Sequence, residues 1–300
     1  MSPPSDLKRV QADLIVLGYL PKGADDGVWG KGSKRALIRF QRRARTHYRV
    51  SSLDGSTADC DSADTPFGAP SGEVDTATLE DIRRWILRKW KAPLGRFGFK
   101  AIPGGILRED VAEEWLKLST KIKGLGGTLD GPFGDTKRAI GKAKKDGASS
   151  FSFHTVGRAV DLQQALAGGR GQRYYIAKDA RSDGQYWRIY CKSDKQDGSQ
   201  GKKYEKDIVA CWSFWDKKAF KLPAGHYIDL TAEIESGGKF ERIRAHEGWE
   251  SNTNRSEWWH FQYALDKQTT FQDECELVGI TEKQLRDAGY GDADLDRRPG

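Results

Sequence analysis

The chain has 300 residues, room for two domains of ordinary size. Charged residues make up 31 %, with ten Trp and ten Tyr, which excludes a disordered chain and points to a globular one. The net charge of +7 favours anionic partners, yet there is no Arg-rich recognition helix, paired Cys-x-x-Cys module or RNA-binding aromatic pattern, and no apolar run of the roughly 18–20 residues that span a membrane.

Met1 to Val10 carries two prolines and early charges and lacks a signal-peptide core. Either the chain is not exported by that route or a signal has been removed. Asp6 is placed to cap a first helix, because its carboxylate accepts from free backbone N–H groups. Leu7, Val10, Leu14 and Leu17 follow at helical spacing, and Gly18 ends the pattern. Asp25-Asp26-Gly27 reads as a turn. Ser33 is expected to cap a second helix carrying Leu37 and Phe40. Residues 51–72 are rich in Ser, Asp, Gly and Pro and read as a loop. Thr76 opens a third helix with Leu79, Ile82, Trp85 and Ile86 on one face.

This stretch resembles a peptidoglycan-binding domain of the three-helix type. Val10-Gln11 with Leu17-Gly18-Tyr19, Asp26-Gly27-Val28-Trp29-Gly30, Ala36-Leu37 with Phe40-Gln41, and Gly72 to Thr76 with Leu79 carry the resemblance. The loop at 51–72 departs from the family's compact pattern.

Residues 91–108 hold several glycines and two prolines and read as a linker. A helix is expected from Arg108, with Val111, Trp115, Leu118 and Ile122 on one face, ending near Gly124 to Gly127. Beyond residue 150 the pattern turns strand-like. Tyr174 to Ile176 and Tyr186 to Tyr190 flank Asp183-Gly184, a hairpin signal. Ile208 to Phe214 and Tyr227 to Ile234 are further strands, and the Lys-rich stretch 192–207 reads as a solvated loop. Near the end, Thr281 is placed to cap a helix containing Leu285. The fold class expected is α+β. Residues 1–90 form an N-terminal three-helix bundle and 91–108 the linker. Residues 109–300 form a second, α+β domain whose central antiparallel sheet carries the site.

Cys60, Cys191, Cys211 and Cys275 form no Cys-x-x-Cys pair, which argues against a thiolate zinc cluster. Cys191 and Cys211 could face each other across a hairpin or remain free thiols.

The histidines are His47, His154, His226, His246 and His260. His154 stands in Ser152-Phe153-His154-Thr155-Val156-Gly157-Arg158-Ala159-Val160-Asp161. Phe151 to His154 reads as strand, Gly157 as a turn and Ala159 to Leu162 as strand again, so His154 and Asp161 can lie side by side. His260 stands in Glu257-Trp258-Trp259-His260. Two imidazoles and one carboxylate make a zinc site that keeps its fourth position for water. Glu257, three residues before His260, suits a general base rather than a ligand. Trp258 and Trp259 either wall the site or belong to the core. His47 and His226 carry no pattern, and His246-Glu247 reads as surface or core. No Gly-x-Ser-x-Gly elbow or cysteine nucleophile motif is present.

Ser-x-His-x-x-Gly-x-Ala-x-Asp followed about a hundred residues later by Glu-x-x-His resembles the D-alanyl-D-alanine metallopeptidases of the VanY and VanX types. The resemblance extends over roughly 105–265. It implies zinc held by His154, Asp161 and His260, with Glu257 as catalytic base. It also implies an upstream arginine at the oxyanion, for which Arg138 stands in the expected place and Arg158 is the alternative. Ser152 is implied as a substrate contact. The implied partner is bacterial peptidoglycan, and the implied reaction is hydrolysis of an amide bond in its stem peptides or cross-links at the cell wall, as a D,D- or L,D-carboxypeptidase or endopeptidase. The missing signal core separately favours an endolysin or an effector delivered by a secretion system, and a monomer is expected. A non-catalytic wall-binding protein and a zinc peptidase of free peptides are the alternatives.

Overall fold

The computed structural model describes residues 6–45, 70–92, 94–141, 152–168, 172–263 and 269–297. His47, Cys60, Phe151 and most of the 51–72 stretch lie outside them. In chain order the helices are α1 (Leu7–Val16), α2 (Lys31–Arg45), α3 (Thr76–Leu87), α4 (Glu109–Gly124), α5 (Leu230–Glu235), α6 (Phe271–Leu277), α7 (Glu282–Asp287) and α8 (Asp292–Leu295). The strands are β1 (Phe99–Ile102), β2 (Gly105–Arg108), β3 (Ala159–Asp161), β4 (Tyr174–Arg181), β5 (Gly184–Lys192), β6 (Lys202–Tyr204), β7 (Ala210–Ser213), β8 (Lys218–Lys221), β9 (Gly225–Asp229), β10 (Phe240–Arg242) and β11 (His260–Tyr263). The mixture is α+β with antiparallel sheets. No described helix is long and apolar enough to cross a membrane.

The chain divides into two compact units. One contains Met1–Arg96, Asp266–Asp287 and Gly291–Gly300, and the other Phe97–Leu265 with Ala288–Tyr290. The division differs from the sequence boundaries, which assign everything from 109 onward to one domain.

In the first unit, α1, α2 and α3 share a core of Val10, Leu14, Leu17, Leu37, Phe40, Ile82 and Trp85. The Asp6 carboxylate caps α1 by accepting from the Arg9 N–H, and Asp75 caps α3 through Thr78. Ser33 does not cap α2, which begins two residues earlier; its hydroxyl accepts from the Gln11 side chain at 2.9 Å. Gln11 also donates to the Val28 carbonyl at 2.9 Å and accepts from the Gly27 N–H at 2.7 Å. Gln41 repeats the device, donating to the Glu73 carbonyl at 3.0 Å and accepting from the Gly72 N–H at 2.9 Å. Two buried amides thus fix the two turns of the motif, because a buried polar group must find partners. Gly72, at φ 72, lies under α2, where a Cβ would come within 2.9 Å of Ile38.

A three-helix bundle does not describe this unit. Arg39, Arg42 and Arg43 of α2 are buried, and a buried guanidinium needs a counter-charge. The C-terminal residues supply it: Arg42 pairs with Asp273 of α6, Arg39 with Glu276, and Arg43 donates to the Asp273 carbonyl at 3.2 Å. At the end of the chain Thr281 accepts from the Gln284 N–H ahead of α7, and Leu285 is fully buried.

The second unit begins with a hairpin where the sequence suggests a linker. β1 and β2 pair through Ile102↔Gly105, and Ile102 and Leu107 enter the core. The turn rests on Gly104, whose positive φ and close approach to Gly131 leave no room for a Cβ. Six antiparallel strands form one sheet in the order β6-β9-β5-β4-β7-β8, and three form another in the order β10-β11-β3. Val111, Trp115 and Ile122 of α4 pack into the same core as Val160, Ile176, Trp187, Ile189 and Phe261. The strand expected through Ile234 stops at Asp229, whose carboxylate accepts from the Ala232 N–H and starts α5 instead. The expected loop at 192–207 contains β6. Cys191 joins the main core, whereas Cys211 joins a separate cluster with Tyr175, Tyr190 and Tyr227. Cys191, Cys211 and Cys275 are free and buried. Burial pushes the Cys211 thiol up to about 12.

Candidate metal centre

The candidate site lies on the small sheet, not on the six-stranded one. Phe153–Val156 is a 3-10 turn rather than the expected strand. It hands the chain to Gly157 at φ 66, where a Cβ would sit 2.7 Å from the Arg108 N and 2.9 Å from the Phe99 ring. Glycine alone fits there, and the reversal sends the chain into β3. The His154 carbonyl accepts from the Arg138 and Gly157 N–H groups at 3.0 and 3.1 Å, which fixes the turn.

Along β3, Val160 and Leu162 face the core, so Asp161 between them faces the other way. β11 pairs antiparallel to β3 with His260 directly opposite Asp161. Opposite residues of such a pair share a face, so imidazole and carboxylate meet. His260 Nδ1 is 2.9 Å from Asp161 Oδ1, and His154 Nε2 is 3.2 Å from the same oxygen. The two imidazole centroids are 5.1 Å apart with planes at 81°. Both histidines are buried. Burial pushes the Asp161 carboxyl up, but hydrogen bonds and charge from His154 and His260 outweigh it and hold the group well below the ordinary carboxylate range.

One donor atom from each of His154, Asp161 and His260 lies within 4.8 Å of the others, and the three could hold a metal ion. Tetrahedral bonds of about 2.0–2.1 Å place neighbouring ligand atoms roughly 3.3 Å apart. The observed 2.9 and 3.2 Å are close to that spacing. Two imidazoles with one carboxylate also suit the borderline softness of zinc. The donor set and its two Asp161 spacings therefore suit such an ion.

Glu257 follows the short turn Thr253–Arg255 and stands at φ 55, a left-handed conformation uncommon outside glycine. Its carbonyl accepts from the His260 N–H at 3.1 Å, tying it to the start of β11. Burial raises its carboxyl pKa, with the charges of His260 and Arg138 opposing and that of Asp161 adding. The Arg138 guanidinium is the weakest of these influences. Its Nε and Nη2 reach Asp135 Oδ2 at 2.8 and 2.7 Å, and Asp135 bridges to Asp161 in the backbone. Ser152 is buried at the start of the 3-10 turn and makes no capping hydrogen bond there. Arg158 is buried, donates to the Tyr263 carbonyl at 3.3 Å and lies over the Tyr263 ring. Trp258 and Trp259 belong to the core, with Trp258 stacked on Phe214 at 16°.

The structure adds one residue that sequence reasoning left aside. His246 Nε2 lies 3.6 Å from Glu257 Oε1. Nothing in its local sequence signals this, because the contact depends on two loops meeting.

Residues 3–47 match the peptidoglycan-binding domain family. The N-terminal region is thereby supported as a peptidoglycan-binding domain, with peptidoglycan as partner and association with the cell wall as its consequence. The matched span holds Gln11, Gly27 and Gln41, the residues that fix the turns described above. No curated protein matches the chain. No solved structure matches it.

Proposed function

We propose that the second unit is a zinc-dependent peptidase acting on the peptide part of peptidoglycan, with the N-terminal domain holding it on the polymer. The observation that carries this reading is the convergence of His154, Asp161 and His260, with the half-buried carboxylate of Glu257 close enough to feel the charges of His260 and Asp161. A bound zinc ion would polarise the scissile carbonyl and make water easier to deprotonate at neutral pH.

The chain's own groups do the rest. Glu257 takes a proton from the attacking water and delivers it to the leaving amine. Its raised pKa brings it nearer to working pH than an exposed glutamate, which favours both transfers. Asp135 holds the Arg138 guanidinium by two nitrogens, so Nη1 faces no partner among the described residues and suits the developing oxyanion. Ser152 stands two residues before His154 as the substrate-contact candidate. Attachment to an insoluble polymer raises the local concentration of bonds to be cut. The net charge of +7 assists on an anionic wall.

Mass spectrometry of fragments released from purified peptidoglycan tests the proposal. Peptide fragments that vanish with a zinc chelator and with Glu257→Ala are the expected result, and their masses name the bond. Intact peptidoglycan after treatment with zinc-loaded protein would refute it. Retained sedimentation of Glu257→Ala with peptidoglycan would separate lost cutting from lost binding.

A further inference from the structure

We infer that His246 is a positioning residue for Glu257, donating its Nε2–H to the carboxylate and holding it toward the ligand triad. The inference rests on Glu257 acting as the base.

The geometry is built rather than accidental. The Ala245 N–H donates to the Gln185 carbonyl of β5 at 2.8 Å, and the His246 N–H donates to the Arg255 carbonyl at 2.8 Å. The Arg255 guanidinium returns to the Glu247 carbonyl at 2.8 Å, closing a clasp between the loop after β10 and the turn before Glu257. His246 therefore sits on backbone fixed at both flanks, with its ring toward Glu257 and its side chain 62 % exposed. Side chains this open are normally free to rotate; here the carboxylate is the charged group facing the ring at 3.6 Å.

The carboxylate has need of such a partner. Among the described residues no hydrogen bond reaches the Glu257 side chain, although it is only 21 % exposed. A general base must be aimed at its proton, and an unanchored carboxylate samples several rotamers. The present 3.6 Å is just beyond direct hydrogen-bond range. Such contacts are often long in the free enzyme and tighten in the loaded site. Burial, then the charges of Arg255, Arg244 and His260, lower the His246 imidazole from its ordinary value. The shift favours the neutral ring, whose single N–H can be committed to Glu257.

The test uses the zinc-loaded full chain and soluble muropeptides. His246→Ala is expected to lower kcat about tenfold with KM unchanged, in the range lost when an outer partner of a working group is removed. His246→Gln keeps an N–H donor and is expected to recover most of the rate. Equal losses in both variants, or a rise in KM instead, would overturn the assignment and make His246 a substrate contact. A second reading is independent of cleavage. The His246 ring resonance, identified by its absence in His246→Gln, is expected to shift when Glu257 is changed to Gln. An unmoved resonance would overturn the contact itself. A wild-type chain that releases no peptide would refute the proposed function while leaving that resonance to decide the contact.

Discussion

Glu257 combines the carboxylate proposed as the base with an unfavourable backbone, and the two can be separated by substitution. At φ 55 an L-residue suffers a left-handed penalty of roughly 1–2 kcal/mol, which glycine escapes. Glycine loses about 0.4–1 kcal/mol in return, because it has more freedom in the unfolded chain. Glu257→Ala and Glu257→Gly remove the same carboxylate, so its interactions cancel between them. The Gly variant is then expected to be more stable than the Ala variant by about 1 kcal/mol. With a urea dependence of about 2–3 kcal/mol/M, the midpoints should differ by roughly 0.3–0.5 M. Unfolding of the full chain at fixed zinc concentration can be followed by fluorescence, since Trp115, Trp187, Trp249, Trp258 and Trp259 are buried in this unit. Both variants should release no peptide from peptidoglycan. An Ala variant as stable as the Gly variant would refute strain at position 257, and cutting retained by either would refute the role of Glu257 as base.

Three further outcomes follow from other parts of the molecule. Asp273 lies buried among Arg42, Arg43 and Arg39; burial pushes its carboxyl up, but those charges and the Arg42 hydrogen bond outweigh it and hold the group below its ordinary 3.8. A depressed folded value means its stabilisation is full above the unfolded value of about 4 and is lost as pH falls through the folded one. Asp273→Asn should therefore cost about 3 kcal/mol at pH 7, and the gap to wild type should narrow below about pH 4 in urea titrations; a constant gap would contradict the buried ion pair. Removal of residues 266–300 should lower the unfolding temperature of the N-terminal unit and weaken cosedimentation with peptidoglycan, because Arg39 and Arg42 lose their carboxylates; unchanged values for both would argue against this packing. Gly157→Ala should cost about 2–3 kcal/mol and reduce zinc stoichiometry in the purified protein, since the new methyl meets the Arg108 backbone at 2.7 Å in a left-handed conformation; full zinc content with wild-type stability would show that the turn tolerates a side chain.

Much of this molecule is legible in residue order, because its signals are local. The caps at Asp6, the apolar spacing of α1 and α4, and the Asp183-Gly184 hairpin each depend on neighbours within a few positions. The spacing around Gly157 likewise predicts a bend that returns Asp161 toward His154. Its physical basis in the structure is a left-handed glycine closed by Arg108 and Phe99, in a 3-10 turn rather than a strand. The motif with Gln11 and Gln41 points to the N-terminal domain for a similar reason: each amide serves a turn whose residues the sequence also displays.

Tertiary structure decided what depends on distant segments. Register between β3 and β11 sets Asp161 opposite His260 across 99 positions, and a slip of one residue would turn them to opposite faces. Asp273 and Glu276 join α2 only because buried guanidinium groups need carboxylates, and nothing near either segment announces the partner. Cys191 and Cys211 stay apart because they enter different clusters, which spacing alone does not reveal. His246 reaches Glu257 through a clasp between two loops. Local chemistry in the sequence determined which groups could act; the pairing of strands, the burial of charge and the meeting of loops determined which of them stand together.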